Sequence, residues 1–208
     1  MKALVTAGPT REYLDSVRYL SNGSSGKTGI ELARALKQSG FSVKLILGPG
    51  SETPKNIPTV RTVSALQMFE QVKRNFGWCD IFVSCAAVAD YRPQKISRKK
   101  IKKGAGPLMV RLVPNPDILR TMGVRKGRKI LVGFALEDAQ GLQNARKKLK
   151  EKNCDMIVLN SPSTVEADKI SASLLFSDGS ALKLGKISKD AFAKKLCQTI
   201  LKKFYGSI

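Results

Sequence analysis

The segments Ala3-Leu4-Val5-Thr6, Ile30-Glu31-Leu32-Ala33-Arg34-Ala35-Leu36 and Ser42-Val43-Lys44-Leu45-Ile46-Leu47 set the architecture of the chain. The first is a short, continuous apolar run halted by Gly8-Pro9, as expected of a strand buried on both faces. The second puts Ile30, Ala33 and Leu36 on one side of a helix predicted over 24–39, with Gly40 as its stop. The third is another buried strand, closed by Gly48-Pro49-Gly50. Strand, helix and strand in succession call for a crossover between parallel neighbours.

The alternation continues downstream. A helix is predicted over 65–76, a strand over 81–85 ending in Ala86-Ala87, and a strand over 130–134. A basic helix follows from about 142 to 152, then a strand over 156–159 that ends at Asn160. The expected fold class is α/β, with a doubly wound, mainly parallel sheet and helices on both faces. The last quarter changes character. Ser173–Phe176 and Ala181–Leu184 flank Ser177-Asp178-Gly179-Ser180, a hairpin signal. A closing helix over 189–204 carries Phe192, Leu196, Ile200 and Phe204 at four-residue spacing, a core stripe. One stretch breaks the pattern: Arg92 to Pro107 is basic, glycine-containing and weakly apolar, either a functional flap or a disordered segment. We expect a single domain over residues 1–208.

Composition narrows the chemistry. The chain has 208 residues, 42% hydrophobic and 25% charged, a soluble globular balance. No apolar run reaches the ~18–20 residues that cross a bilayer. The amino terminus does not read as a secretory signal, so the expected location is the cytoplasm, with no membrane partner. Cys79, Cys85, Cys154 and Cys197 are scattered, and there is no histidine. That combination argues against a zinc site, a disulfide framework and Cys–His catalysis. The net charge of +21 makes nucleic acid a candidate partner. The excess is spread along the chain without interleaved aromatics, so a basic solvated surface is the simpler reading.

In doubly wound sheets the ligand lies at the carboxyl ends of the strands. The segments there are Gly8-Pro9-Thr10-Arg11-Glu12, Gly48-Pro49-Gly50, Ala86 to Tyr91, Phe134 to Glu137 and Asn160-Ser161-Pro162. The stretch Ser21-Asn22-Gly23-Ser24-Ser25-Gly26-Lys27-Thr28-Gly29 opens the first helix, where backbone N–H groups can hold an anion. It is not a Walker loop, because Ser21 stands where the first glycine belongs and the first strand is not adjacent. A dinucleotide fingerprint is absent after Gly8. On the basic helix, Leu142, Ala145 and Leu149 form the predicted buried stripe. Lys148 and Lys152 lie at its edge, spaced to grip a triphosphate.

Taken together, Leu4 to Glu12, Ser21 to Lys27, Ala86 to Arg92, Lys100 to Lys103, Asn115-Pro116-Asp117 and Gly133-Phe134-Ala135 resemble, in order, the motifs of the phosphopantothenate–cysteine ligases (phosphopantothenoylcysteine synthetases). The resemblance spans nearly the whole chain. It implies a Rossmann-like fold and an amide-forming reaction between 4′-phosphopantothenate and L-cysteine in coenzyme A biosynthesis. It implies CTP as co-substrate, Mg²⁺ as cofactor with unassigned protein ligands, and a homodimer with the site near the subunit interface. By position, Asn22 and Lys100 are the implied catalytic residues. Ser84, Cys85, Ala86, Asp90, Lys100, Val113, Pro114, Asn115, Pro116, Phe134, Lys148 and Lys152 are implied nucleotide contacts. Arg18, Asn22 and Ala87 are implied on the substrate side. Ser84, Pro114 and the run Glu137-Asp138-Ala139 depart from some relatives. The resemblance further implies a free-standing ligase, with a separate phosphopantothenoylcysteine decarboxylase in the same pathway. The competing readings are an NAD(P)-dependent oxidoreductase and a basic nucleic-acid-binding module.

Overall fold

The computed structural model describes residues 1–137, 141–160 and 169–206. In chain order its elements are β1 (Lys2–Ala7), β2 (Arg11–Tyr13), β3 (Tyr19–Ser21), α1 (Lys27–Gln38), β4 (Ser42–Leu47), β5 (Thr59–Arg61), α2 (Ala65–Phe76), β6 (Ile81–Ser84) and β7 (Tyr91–Pro93). They continue with β8 (Leu112–Pro114), α3 (Ile118–Val124), β9 (Ile130–Leu136), α4 (Gly141–Glu151), β10 (Met156–Asn160), β11 (Lys169–Phe176), β12 (Ala181–Ser188) and α5 (Lys189–Phe204). The central sheet has eight strands in the order β12-β11-β10-β9-β6-β1-β4-β5. Its pairings are parallel from β10 through to β5. β11 and β12 extend that edge as an antiparallel hairpin. The expected mainly parallel sheet, terminal hairpin and closing helix are all present.

Alternation along each strand sorts the core into two layers, because successive side chains leave opposite faces of the sheet. Val5, Leu45, Val83, Val132 and Val158 face one way and pack with Leu32 and Leu36 of α1 and Phe192 and Leu196 of α5. Leu4, Ile46, Phe82, Leu131 and Ile157 face the other way and pack with Met68 and Val72 of α2, Met122 of α3 and Leu149 of α4. Each such side chain, fully buried, contributes about 1.5–3 kcal/mol. The sheet is therefore covered on both faces, as the continuous apolar strands require.

Several boundaries differ from the sequence-based expectation. The first helix begins at Lys27, not at residue 24, because Gly26 sits in the left-handed region at φ 72° and turns the chain into the helix. The hairpin β2–β3, the edge strand β5, the pair β7–β8 and helix α3 were not foreseen. Most are three-residue strands, too short to show a period. Leu142 of the expected buried stripe is 52% exposed, whereas Ala145 and Leu149 are buried. Residue 142 follows the first residue of α4 and lines a shallow surface cavity with residues of β10, β11 and β12. Asp138, Ala139, Ser161 and Pro162 lie outside the described residues. Residues 94–111 carry no helix or strand and bridge β7 to β8. Among the described residues no helix is long and apolar enough to cross a membrane.

The loops after β1 and β4 cross at van der Waals distance. A Cβ on Gly48 would stand 1.8 Å from the carbonyl oxygen of Pro9. Gly48→Ala should therefore cost about 3 kcal/mol or more of unfolding free energy in urea titration. Gly104→Ala, with nothing within 4 Å of the added carbon, should change it by less than about 0.5 kcal/mol.

Candidate functional site

β1 is where the chain reverses its progress across the sheet: β4 and β5 follow on one side, β6, β9 and β10 on the other. At such a switch point a crevice opens at the strands' carboxyl ends, although the segments leaving β1 and β6 stay paired through a Pro9–Ala87 bridge. A cavity of about 640 Å³ occupies it. One wall is the Asn22–Gly29 segment leading into α1; another is Cys85–Asp90 after β6. Phe134 to Glu137, Lys148, Asn160 and Lys189 complete it.

The start of α1 is open to a ligand. Gly26 makes no side-chain cap hydrogen bond, and the first-turn N–H groups of any helix lie beyond the reach of its own carbonyls. With the positive end of the helix dipole, they form an anion-binding surface. Gly26 is held against the loops of the sheet, where a Cβ would meet the Ser51 hydroxyl oxygen at 2.4 Å. Ser51 Oγ in turn donates to the Ser25 carbonyl at 2.7 Å.

The opposite wall is fixed by buried threonines. Ala86 N–H donates to Thr6 Oγ1 at 3.3 Å, Ala89 N–H to Thr10 Oγ1 at 3.1 Å, and Ala87 N–H to the Gly8 carbonyl at 2.9 Å. Asn22 Nδ2 donates across the crevice to the Val88 carbonyl at 3.1 Å. Asn115 Nδ2 donates to the Ala89 carbonyl at 2.8 Å, and its N–H to the Asp90 carbonyl at 2.7 Å. Small residues at 86, 87 and 89 leave room that larger side chains would fill.

Charge in the cavity is cationic but not simply so. Lys148 donates to the Phe134 carbonyl at 2.7 Å. Burial, and then the neighbouring Lys152 ammonium, hold its pKa below the ordinary lysine value. Lys152 pairs with Asp117 at 2.9 Å. Burial pushes the Asp117 carboxyl up, but the Arg120 N–H and Lys152 outweigh it and leave the pKa lowered. Cys85 lines the cavity, and burial pushes its thiol up to about 12 against the pull of Lys189.

Of the residues singled out from sequence, Asn22, Cys85, Ala86, Ala87, Asp90, Phe134 and Lys148 line this one cavity. Ser84 ends β6 directly before it. Val113, Pro114, Asn115 and Pro116 form the adjoining rim, with β8 paired to β7 and Asn115 bonded to the Ala89–Asp90 backbone. Lys152 lies one turn beyond Lys148. Arg18 and Lys100 lie elsewhere: both are exposed, and the Arg18 guanidinium donates to the carbonyl of Ile101, the residue after Lys100. Neither lines the cavity of its own chain. Asn160, from a strand-end segment that the sequence pointed to, also lines the cavity, with a buried Oδ1 that has no hydrogen-bond partner among the described residues. Sequence reasoning passed over one lining residue: Lys189, only 6% exposed, begins α5.

Among the described residues no cluster of three or more acidic or cysteine side chains could cage a metal. Asp90 and Glu137 both line the cavity. A magnesium ion brought by phosphate oxygens needs one or two such carboxylates and keeps its waters, so these donors fit that mode.

Fold and site together define an α/β protein with a cavity at the carboxyl ends of a mainly parallel sheet. Residues 1–204 match the family described as the DNA/pantothenate metabolism flavoprotein C-terminal domain, and the chain belongs to that family, the phosphopantothenoylcysteine synthetase type whose motifs its sequence carries. It is 39% identical over 209 residues to the coenzyme A biosynthesis bifunctional protein CoaBC of Haemophilus influenzae, covering 98% of this chain and 52% of that protein. It is 39% identical over 216 residues to CoaBC of Mycobacterium tuberculosis, covering 96% and 52%. The chain thus spans about half the length of these relatives. The crystal structure of the C-terminal domain of a CoaBC protein superposes with a TM-score of 0.83 at 34% identity, covering 96% of this chain and 93% of that one. A Cab2 mutant solved with phosphopantothenate-cysteine shares the fold, with a TM-score of 0.79 at 17% identity over 98% of this chain and 87% of that one.

Lys148 offers a pH test of the cavity. Its depressed pKa means that its charge is lost at a lower pH than that of an ordinary lysine. Nucleotide affinity should therefore fall as pH rises through that lowered value, and Lys148→Met should remove this alkaline limb while weakening binding about tenfold at neutral pH. Calorimetric titration with CTP between neutral and alkaline pH reads both.

Proposed function

We propose that this domain is a ligase that joins 4′-phosphopantothenate to the amino group of L-cysteine, with CTP as the activating nucleotide. The observation that carries the reading is the cavity itself. An uncapped helix start and Lys148 line the same cavity as a wall of small residues and backbone, and Asn160 brings a buried acceptor with no hydrogen-bond partner among the described residues. Anion-binding groups on one side and hydrogen-bonding groups on the other suit a molecule with phosphates and a polar base. An unpaired buried acceptor costs about 1–3 kcal/mol until a donor reaches it; the exocyclic amine of a cytosine is such a donor.

A carboxylate and an amine do not condense at neutral pH, because the leaving group would be oxide. In the proposed route a carboxylate oxygen of phosphopantothenate attacks the α-phosphorus of CTP, the α–β phosphoanhydride bond breaks, and pyrophosphate leaves. The cysteine nitrogen then attacks the acyl carbon of the resulting acyl-cytidylate, sheds a proton, and CMP departs. The chain's part is positioning and charge. The α1 N-terminus, Lys148, Lys152 and Lys100 offset charge on the phosphates, and Asn22 orients the acyl group. Ala87 and Arg18 would meet the substrate. Ser84, Cys85, Ala86, Asp90, Phe134 and Val113 to Pro116 would contact the nucleotide. Magnesium, when bound through the nucleotide phosphates near Asp90 or Glu137, would supply further charge neutralisation.

This reading makes the working unit a homodimer. Arg18 and Lys100 stand outside their own cavity, and the chain exposes large apolar residues that include Val17, Leu108, Met109 and Leu112, with Met109 88% exposed. A second copy seated on those residues would cover them and receive these cations. The setting is cytoplasmic, in keeping with four free cysteines. The product keeps the carboxylate of its cysteine, the group on which a flavin-dependent decarboxylase of the same pathway acts. The nicotinamide alternative lacks its glycine fingerprint.

The deciding assay mixes protein, phosphopantothenate and cysteine with each nucleoside triphosphate in turn and measures pyrophosphate and nucleoside monophosphate. CTP should yield CMP in amounts matching pyrophosphate, and Asn22→Ala or Lys100→Ala should each lower turnover by about a hundredfold or more with the melting temperature unchanged. Pyrophosphate release at wild-type rate in both variants would sink the reading. Met109→Asp should shift the protein toward monomer in sedimentation and lower activity in parallel.

A further inference from the structure

Asp15 is charged and almost fully buried, 1% exposed, yet it lies outside the cavity and has no part in the chemistry above. It sits in the turn between β2 and β3. Its Oδ1 accepts the backbone N–H groups of Val17 and Arg18, both at 2.8 Å. Its Oδ2 accepts the Arg18 guanidinium at 2.6 and 3.0 Å and, from a distant part of the chain, the N–H of Ile101 at 3.0 Å. Arg18 closes the ring by donating to the Ile101 carbonyl. One turn earlier, Ser97 N–H donates to the Leu14 carbonyl at 2.9 Å. The 97–101 segment, which carries Lys100, is thus pinned at both ends to the turn that carries Arg18. The basic stretch between β7 and β8 is not a freely swinging arm at this point.

We propose that Asp15 is a positioning residue: it fixes the backbone of 97–101 against the β2–β3 turn, so that Lys100 and Arg18 are presented together as one preorganised cationic pair. The proposal rests on the ligase reading for what those cations do, but the clamp itself does not. Its physical logic is that a charged acceptor shared by several N–H donors is stronger than the same bonds to a neutral one. These hydrogen bonds, the Arg18 N–H foremost, hold the carboxyl well below the usual carboxylate range despite burial, so it stays ionised at working pH. Long, flexible side chains such as lysine contribute to a transition state only when their backbone is held in place.

The test is Asp15→Asn, which keeps the shape and removes the charge, read by amide hydrogen exchange and by kinetics. Exchange at Ile101, Val17 and Arg18 should quicken at least tenfold while the amides of β1 and β4 keep their protection. Turnover should fall about tenfold with the Michaelis constant for CTP changed less than twofold. The double variant Asp15→Asn with Lys100→Ala should be far less impaired than the product of the single losses, since Asp15 acts through the lysine-bearing segment. Unchanged exchange at Ile101, faster exchange throughout the core, or fully multiplicative losses would each overturn the proposal. A wild-type protein inactive with every nucleotide, alongside the local exchange change in Asp15→Asn, would overturn the ligase reading and leave the clamp standing.

Discussion

The rest of the molecule hangs on β1, the central strand that pairs in parallel with β4 on one side and β6 on the other. Ala3 to Ala7 are fully buried, so the strand has no solvent-facing edge and its register is fixed on both sides. Where it ends, its two neighbours lead the chain in opposite directions and the crevice opens. Thr6, buried within the strand, and Thr10, just beyond it, place hydroxyls that receive the N–H groups of the wall after β6. One strand therefore sets the sheet order and the shape of the pocket.

The pocket gathers charge without histidine, which the chain lacks, and burial pushes the thiol of the lining cysteine up. What remains are ammonium groups, the carboxylates of Asp90 and Glu137, carboxamides, backbone N–H groups and the dipole of α1. Such groups favour chemistry limited by orientation and by accumulating negative charge, which is the nature of acyl activation by a nucleotide. Lys148 shows the balance involved: burial weakens its charge, yet the same low-dielectric surroundings strengthen any contact it makes with a phosphate.

Two cationic residues lie away from the pocket, and Asp15 ties Arg18 to the backbone that carries Lys100. This arrangement gives the weakly apolar stretch after β7 an ordered base. It also explains how such a lysine-rich segment can hold a defined path without a helix or strand, since a buried carboxylate replaces the missing ladder.

Much of this was legible in the sequence. Continuous apolar runs determined the parallel strands, four-residue spacing determined α5, and the end-of-strand rule pointed to the segments that line the cavity. The edge position of Lys148 and Lys152 followed from helix geometry alone. Tertiary structure decided what depends on groups distant in sequence. The three-residue strands exist because neighbours complete their ladders, Gly26 rather than a serine turns the chain into α1, and Leu142 stays exposed because nothing covers it. Lys189 and the Asp15 clamp were invisible for the same reason: periodicity records which face of an element is buried, whereas burial of a single charge is set by partners elsewhere in the fold.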